Sequence, residues 1–383
     1  MSKKTLGLFN LTSIESRHNP LQEVDTYITG LPEGIPRCEA GFVNSFIQNG
    51  MALIQGSFGK TYINVDRSNV MKMIDLQKRY NMLLNYSEDK ITSIIIGDLK
   101  SEIEYYHTIS DLCNNVCKFL GYYYDISKKI IYILMENCGA DLFDVYAREK
   151  KPSLAQSIGF ITQIVDALDC LHSNGFAHRD IKPENITVTE QGKVLLIDFG
   201  FLTHRGDEII PGKGTALYNS PENMNQTLMT FDDLTASDIY SLGVTILFMI
   251  LPHSNDKNIL FNTINSEAPV AVEFNKSNFT NRIGILEKNM KKFNKDTIIT
   301  QINQKLSYLF GPTITMDSFF SDIPGSRISA ADLKSILLRT PKSFSLGGSK
   351  SRKKKRGTRG RRQRRRKTYK KRMNQNRPAK LSR

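Results

Sequence analysis

The chain has 383 residues, 40% of them hydrophobic, with 20 Phe, 15 Tyr and no Trp, which is enough apolar mass for a sizeable core. Its formal net charge of +15 is unevenly spread: residues 350–383 hold 19 Lys or Arg and no Asp or Glu, leaving 34 basic against 38 acidic residues in 1–349. No apolar run reaches the roughly 18 residues of a spanning helix, and MSKKTLGLFNLTS has neither a signal-peptide core nor Gly after Met1, so no membrane span, secretory leader or myristoyl group is expected.

Cys38, Cys113, Cys117, Cys138 and Cys170 form no Cys-x-x-Cys pair and lack the spacing of a zinc site. They are expected to be reduced thiols in a cytoplasmic or nuclear protein that is not secreted.

In chain order, residues 1–43 form an N-terminal extension with the turn-rich run GLPEGIPRCEAG. Next comes Ile54-Gln55-Gly56-Ser57-Phe58-Gly59-Lys60-Thr61, where Gly56 and Gly59 let backbone amides approach phosphates without Cβ interference. The short interval to Lys72, in NVMKMI, implies a tight hairpin. SEIEYYHTIS reads as a helix: if Glu102 faces Lys72, then Ile103, Tyr106 and Ile109 follow at helical spacing toward a core. Glu104 is the alternative partner and would rotate the helix by more than half a turn. The long stretch between Ile74 and this helix implies an insertion, or an extra helix and strand. IYILMENCGADLF then reads as a buried strand and its exit. SIGFITQIVDALDCLHSNGF has apolar residues at i, i+3, i+4 and i+7 and stops at Asn174-Gly175. ITVT and KVLLID are strands flanking the turn Glu190-Gln191-Gly192. SDIYSLGVTILFMIL contains the longest apolar run, Leu242–Leu251, and reads as a buried helix; residues 253–320 are rich in Asn and Lys.

The chemistry concentrates in HRDIKPEN, residues 178–185, followed by DFG, residues 198–200. Two carboxylates and an amide at these spacings, between strands, suit a metal-bound phosphoryl donor beside a hydroxyl acceptor. Phosphoryl transfer asks for positioning and counter-charge rather than a covalent nucleophile.

These motifs resemble the eukaryotic-type serine/threonine protein kinases, and the resemblance covers roughly residues 44–340, firmest from 131 to 243. It implies an α+β bilobal fold, with a small β-rich lobe at about 44–135, a larger helical lobe at about 139–340, and a disordered basic tail at 341–383. By the same resemblance, Asp180 orients the substrate hydroxyl, Lys182 reaches the transferring phosphate, and Asn185 and Asp198 hold Mg²⁺ on ATP. Thr215, in the segment end Gly214-Thr215 and Ser220-Pro221-Glu222, joins Lys182 as a serine/threonine-class feature. Ile54, Gly56, Gly59, Thr61, Lys72 and Glu102 fall in the phosphate-binding part, although kinases usually have Gly at position 54 and Val at position 61. Met135 takes the gatekeeper position, Glu136 to Cys138 the adenine-contacting hinge, and Asp141 a ribose position. His178, Arg179, Phe199, Asp238 and a Glu222–Arg327 salt bridge are supporting residues.

The stretch before Gly214 offers only Thr203 as a phosphorylatable residue, and Asp207 and Glu208 are expected to give Arg179 a fixed negative charge instead. Glu184 and Asp141 occupy positions that favour basic residues before the acceptor, but Phe248 stands where such kinases often keep a Glu. The implied partners are protein substrates and, through residues 350–383, nucleic acid or another polyanion. This arm on an Asn-rich, Trp-free chain resembles kinases of large DNA viruses, which would place it in a host cell or virion. Ser349, Ser351, Thr358 and Thr368 are candidate sites of self-phosphorylation. Two other functions remain in view. A pseudokinase scaffold tethered through its tail would often lack one of Lys72, Asp180, Asn185 or Asp198, all present here. A small-molecule phosphotransferase would not need Thr215, the Ser-Pro-Glu motif or the Glu222–Arg327 pair.

Overall fold

Strand β5 (Ile130–Glu136) explains the architecture of the small lobe, because its apolar run leaves neither face for water. A strand covered on both faces needs neighbours on both edges and layers on both sides. It lies between β3 (Asn69–Asp75) and β4 (Phe119–Asp125) in a five-stranded antiparallel sheet of order β1-β2-β3-β5-β4, with β1 at Met51–Gln55 and β2 at Lys60–Ile63. Ile131 and Ile133 face the main core, whereas Tyr132 and Leu134 pack with Met71, Val43 and Phe46 on the other side. The structure, a computed structural model, describes residues 19–55, 59–147, 152–225, 229–250 and 295–339. The basic arm, Gly56 and most of 253–320 lie outside the described residues.

Two helices precede the sheet. Helix α1 (Pro20–Thr29) starts at Asn19, whose side chain accepts from Leu21 N–H, with Pro20 at the first turn where its missing N–H costs nothing. Its buried stripe of Leu21, Val24 and Ile28 joins the main core. Lys129 and Tyr124 both bond Asp25, and the Tyr27 hydroxyl donates to Glu104. Helix α2 (Ala40–Asn49) supplies Val43 and Phe46 to the outer layer of the sheet.

Between β3 and β4 the chain is helical throughout apart from short links. Helix α3 (Leu76–Met82) is capped by Asp75, and α4 (Glu88–Lys100) by Ser87. A π-helical turn, Ser101–Tyr105, then runs directly into α5 (Tyr106–Leu112), giving one continuous helix from 88 to 112. Of the insertion, or extra helix and strand, expected here, the chain supplies two helices and, among the described residues, no strand; Ile91, Ile94, Ile95 and Leu99 are spaced for a helix face, and all are buried.

The large lobe is built on two 20-residue helices, α6 being the short Leu142–Ala147. Helix α7 (Leu154–Ser173) opens with a capping box between Ser153 and Gln156, and the chain leaves it through Gly175 at φ 76°, a backbone conformation natural to glycine. A four-residue helix, α8 (Pro221–Met224), precedes α9 (Phe231–Ile250), which is buried on nearly every side and packs on Phe319 and Phe320. Both 20-residue helices are long and apolar enough to cross a membrane by length and composition alone, as core helices also are, and α9 is enclosed by protein, the buried helix expected from its apolar run. Strands β6 (Ile186–Val188) and β7 (Val194–Leu196) pair across the Gly192 turn and carry the chain past the cleft.

The expectation of reduced thiols is overturned. Cys113 is bonded to Cys170, and Cys117 to Cys138, which leaves Cys38 as a free thiol. The partners are 57 and 21 residues apart, so spacing conceals them. They meet because the loop after α5 docks on the large lobe: Cys117 N–H donates to Leu196 O and Leu196 N–H to Asn115 O.

Candidate active site

The loop at 178–185 is held from beneath by Asp238, a fully buried residue of α9. Its carboxylate accepts from His178 N–H at 2.8 Å and Arg179 N–H at 2.7 Å, and it lies 3.0 Å from His172 Nε2. Burial alone would raise its pKa, but the His172 contact and the donors around it outweigh burial and hold the carboxyl below the usual range. This anchoring lets Arg179 sit at φ 69°, a conformation a non-glycine residue keeps only when its surroundings fix it. Asp198, at φ 62°, is likewise held, since Ile197 N–H next to it donates to Asn185 O.

Above this base four side chains close on one another. Lys182 Nζ donates to Asp180 Oδ2 at 2.8 Å and to Thr215 Oγ1 at 2.7 Å. Thr215 Oγ1 donates to Asp180 Oδ1 at 2.7 Å. Asn185 Nδ2 donates to Asp180 Oδ2 at 2.8 Å and to Asp180 O at 2.9 Å. Thr215 can come this close because Gly214 adopts φ 105° with no room for a Cβ, which would lie 2.4 Å from Arg179 O.

On the small-lobe side, Lys72 of β3 bonds Glu102 and also Asp198 Oδ1, the latter at 2.8 Å. Burial would lower the lysine pKa, but Asp198 and Glu102 outweigh it and raise it above the usual value. Burial pushes Glu102 up, with Lys72 opposing. Lys72 pulls Asp198 down. Gly200 makes room for the pair, since a Cβ there would lie 2.7 Å from Glu102 Oε1. Glu104, the alternative read from sequence, points instead at Tyr27. The π turn accounts for the difference: Glu102 and Ile103, adjacent in sequence, are both buried in it.

An aromatic column joins the lobes behind these groups. Phe119 meets Tyr106 at 5.3 Å, Tyr106 meets Phe199 at 4.7 Å, and Phe199 meets His178 at 5.2 Å between ring centroids. The Tyr106 hydroxyl has no hydrogen-bond partner among the described residues. The kinase resemblance implies the His178–Phe199 contact and the apolar spacing of Tyr106 turns it toward the core, whereas Phe119 had no signal in the sequence.

The other site residues lie around the cleft. Ile54 pairs with Thr61 across the β1–β2 hairpin, and Gly59 packs against β3 so closely that a Cβ would overlap Met73 O. Met135 and Glu136, both half-buried, follow the buried run of β5, with the disulfide-bonded Cys138 just after them. Asp141 Oδ1 accepts from Asp144 N–H at the start of α6. Arg327 makes a two-pronged bond to Glu222, at 2.6 and 2.9 Å, with its guanidinium 5.2 Å from the Tyr240 ring centre.

Asp207 and Glu208 do not reach Arg179. Asp207 bonds Tyr105 and Lys100, and Glu208 bonds Lys90. Arg179 turns to Thr203 Oγ1 and Ile210 O instead, and burial lowers its pKa to about 10.

What these groups can do is bounded by their charges: Asp180 and Asp198 supply oxygen donors, Lys72 and Lys182 supply positive charge beside them, and no thiol or serine nucleophile lies among them. Comparison with known proteins agrees. Residues 48–319 match the family model described as protein kinase domain. The chain is 34% identical over 134 residues to 3-phosphoinositide-dependent protein kinase 1 of Arabidopsis thaliana, covering 31% of this chain and 26% of that protein. It is 32% identical over 166 residues to maternal embryonic leucine zipper kinase of Danio rerio, 41% of this chain and 24% of the relative. With the Aurora kinase of Schizosaccharomyces pombe it shares 26% identity over 237 residues, 61% and 62% of the two chains. Against these three the chain thus spans between 24% and 62% of the relative's length. The two-lobed architecture, the closed set around Asp180 and the match across residues 48–319 make this chain a member of the protein kinase family.

Proposed function

We propose that the protein transfers the γ-phosphoryl group of ATP to serine and threonine hydroxyls of protein substrates. The observation that carries this reading is the closed set of Asp180, Lys182, Thr215 and Asn185, with Lys72, Glu102 and Asp198 joined in a second set beside it. Asp180 orients the acceptor hydroxyl and takes its proton. Lys182 stands as a compact positive charge for the transferring oxygens, and Thr215 keeps lysine and carboxylate in register. Lys72 binds phosphate oxygens and is kept charged by its two carboxylate partners.

Protein kinases as a family use ATP and Mg²⁺, and the donor set here suits the ion. Asn185 spends its amide N–H groups on Asp180, which leaves its carbonyl oxygen for a cation. Asp198 commits Oδ1 to Lys72 and is 47% exposed, leaving Oδ2 available from the cleft. Asn185 and Asp198 would hold Mg²⁺ there, and the ion would supply counter-charge for the phosphates. Ile54, Gly56, Gly59 and Thr61 cover the nucleotide, Met135 backs the base, the backbone of Glu136 to Cys138 meets its edge, and Asp141 serves the ribose. The arm at 350–383 binds phosphate polyanions, and phosphate added to Ser349, Ser351, Thr358 or Thr368 weakens that binding.

The test is transfer from labelled Mg-ATP to a mixed basic-protein substrate, with Asp198→Ala in parallel. Transfer by the parent and loss in the variant supports the reading. Nucleotide binding without transfer by the parent sinks it, and label moving to sugars, choline or aminoglycosides in place of protein would reassign the enzyme.

A further inference from the structure

The segment between Phe199 and Gly214 is fastened to the helix that carries Glu102 at four places along its length. Ser101 Oγ donates to Leu202 O at 2.6 Å in a buried contact. Asp207 collects the Tyr105 hydroxyl at 2.7 and 2.8 Å, Lys100 Nζ at 3.3 Å and its own neighbour His204 N–H at 2.9 Å. Lys213 Nζ reaches Asp98 Oδ1 at 3.2 Å, while Arg79 holds the other oxygen of Asp98 at 2.6 and 2.9 Å. Glu208 pairs with Lys90 at 3.0 Å. These attachments fall on both sides of Glu102, so they fix the rotation of the helix as well as its position.

They are unequal. Glu208 and Lys90 are exposed, and an exposed pair contributes little. Asp98 and Lys213 are each less than a fifth exposed. Asp207 accepts from three different residues, and burial with its hydroxyl bond to Asp207 raises the Tyr105 pKa to about 12, so Tyr105 remains a donor. The opposite side of the segment is occupied from within the chain. Arg179 donates through its two terminal nitrogens to Thr203 and Ile210 O, while its buried Nε has no partner among the described residues; Thr203 is buried, and residues 204–214 contain no Ser, Thr or Tyr.

We propose that Asp207 and Lys213 are positioning residues for phosphoryl transfer: they hold the segment against the helix of Glu102, so the Lys72–Glu102 pair forms with no phosphate on the segment. The proposal rests on the kinase reading above and deepens it, because it makes the enzyme competent as synthesised. Loss of either clamp leaves the catalytic side chains in place but lets the helix turn away, which lowers the fraction of molecules with Glu102 on Lys72. The turnover number then falls while substrate affinity is kept.

The experiment uses the full chain treated with phosphatase and checked by intact mass. Phosphate-free parent should keep its kcat. Asp207→Asn and Lys213→Met should each lower kcat by about tenfold with the peptide KM changed by less than about twofold. Asp207→Glu should recover at least half of the loss, and Glu208→Gln should stay within about twofold of the parent. Hydrogen exchange of residues 98–108 should rise in Asp207→Asn. Unchanged kcat in Asp207→Asn, or loss of activity on removing phosphate from the parent, overturns the proposal. If the parent transfers no phosphate, the kinase reading fails, and exchange at 98–108 still decides the clamp: a rise upholds it and no change rejects it.

Discussion

The loop at 178–185 and the helix at 88–112 both place charged groups in the cleft, but they are held by different means. The loop is held by its own backbone and by Asp238, with donors at 178 and 179 and mutual bonds among residues within a few positions of Asp180. The helix is held from far away: by Asp207 and Lys213 across the cleft, by Tyr27 from α1, and by the disulfide from Cys113, just past its end, to Cys170. Short-range organisation can be spelled in eight consecutive residues. Long-range organisation is spread over three segments distant from the helix, none of which is a motif alone.

The sharpest way to break this contrast is to strike the loop chemically while sparing its shape. Asp180→Asn keeps the size of the side chain and should lower kcat about 10³-fold with an unchanged melting temperature, measured by steady-state transfer and calorimetry. A fall in melting temperature of several degrees would show the loop to depend on that charge for its fold.

Next in size is the covalent hold on the helix. Non-reducing peptide mapping should recover Cys113 joined to Cys170, and Cys113→Ser with Cys170→Ser should cost about 2–4 kcal/mol in urea unfolding, given a closed span of 57 residues. Recovery of Cys113 and Cys170 as free thiols from the native protein would refute the bridge.

Asp238→Asn tests the loop's anchor and should cost about 2 kcal/mol at neutral pH. The folded pKa of Asp238 lies below the ordinary value of 3.8, so its ionisation contributes stability above that value and loses it as pH falls through the lower folded pKa. The gap between parent and variant should therefore narrow under acid in this window; a gap constant down to pH 2 would assign the loss to packing.

The smallest effect runs the other way. Tyr106→Phe removes a buried hydroxyl without a partner among the described residues and keeps the ring column, so it should stabilise the protein by about 1 kcal/mol. A destabilised variant would reveal a bonded water at that hydroxyl.

This contrast also explains what could be read in advance. His178 to Asn185 and Asp198 to Gly200 were legible because local spacing dictates their roles, the helix at 154–173 because its apolar residues recur at helical spacing, and the helix at 231–250 because of its continuous apolar run. The choice between Glu102 and Glu104 stayed open because a π turn alters the very periodicity used to decide it. The residues between Ile74 and Ser101 carried a helical stripe at Ile91, Ile94, Ile95 and Leu99, yet their length suggested a strand as well. Asp207 and Glu208 were seen as fixed charges and assigned the wrong partner, since nothing nearby in sequence announces Lys100 or Lys90. The cysteines misled for the same reason: a bridge between residues 57 apart is a property of the folded contact.

The Cys113–Cys170 bridge closes the polypeptide into a ring that contains the connection between the lobes, and the Cys117–Cys138 bridge closes a smaller ring inside it. The lobes are therefore joined along two covalent routes, where a single strand of chain would ordinarily suffice. A protease that cuts once anywhere between residues 113 and 170 opens the ring without dividing the molecule. The nicked protein should migrate as one species on a non-reducing gel and fall into two pieces only when a thiol is added.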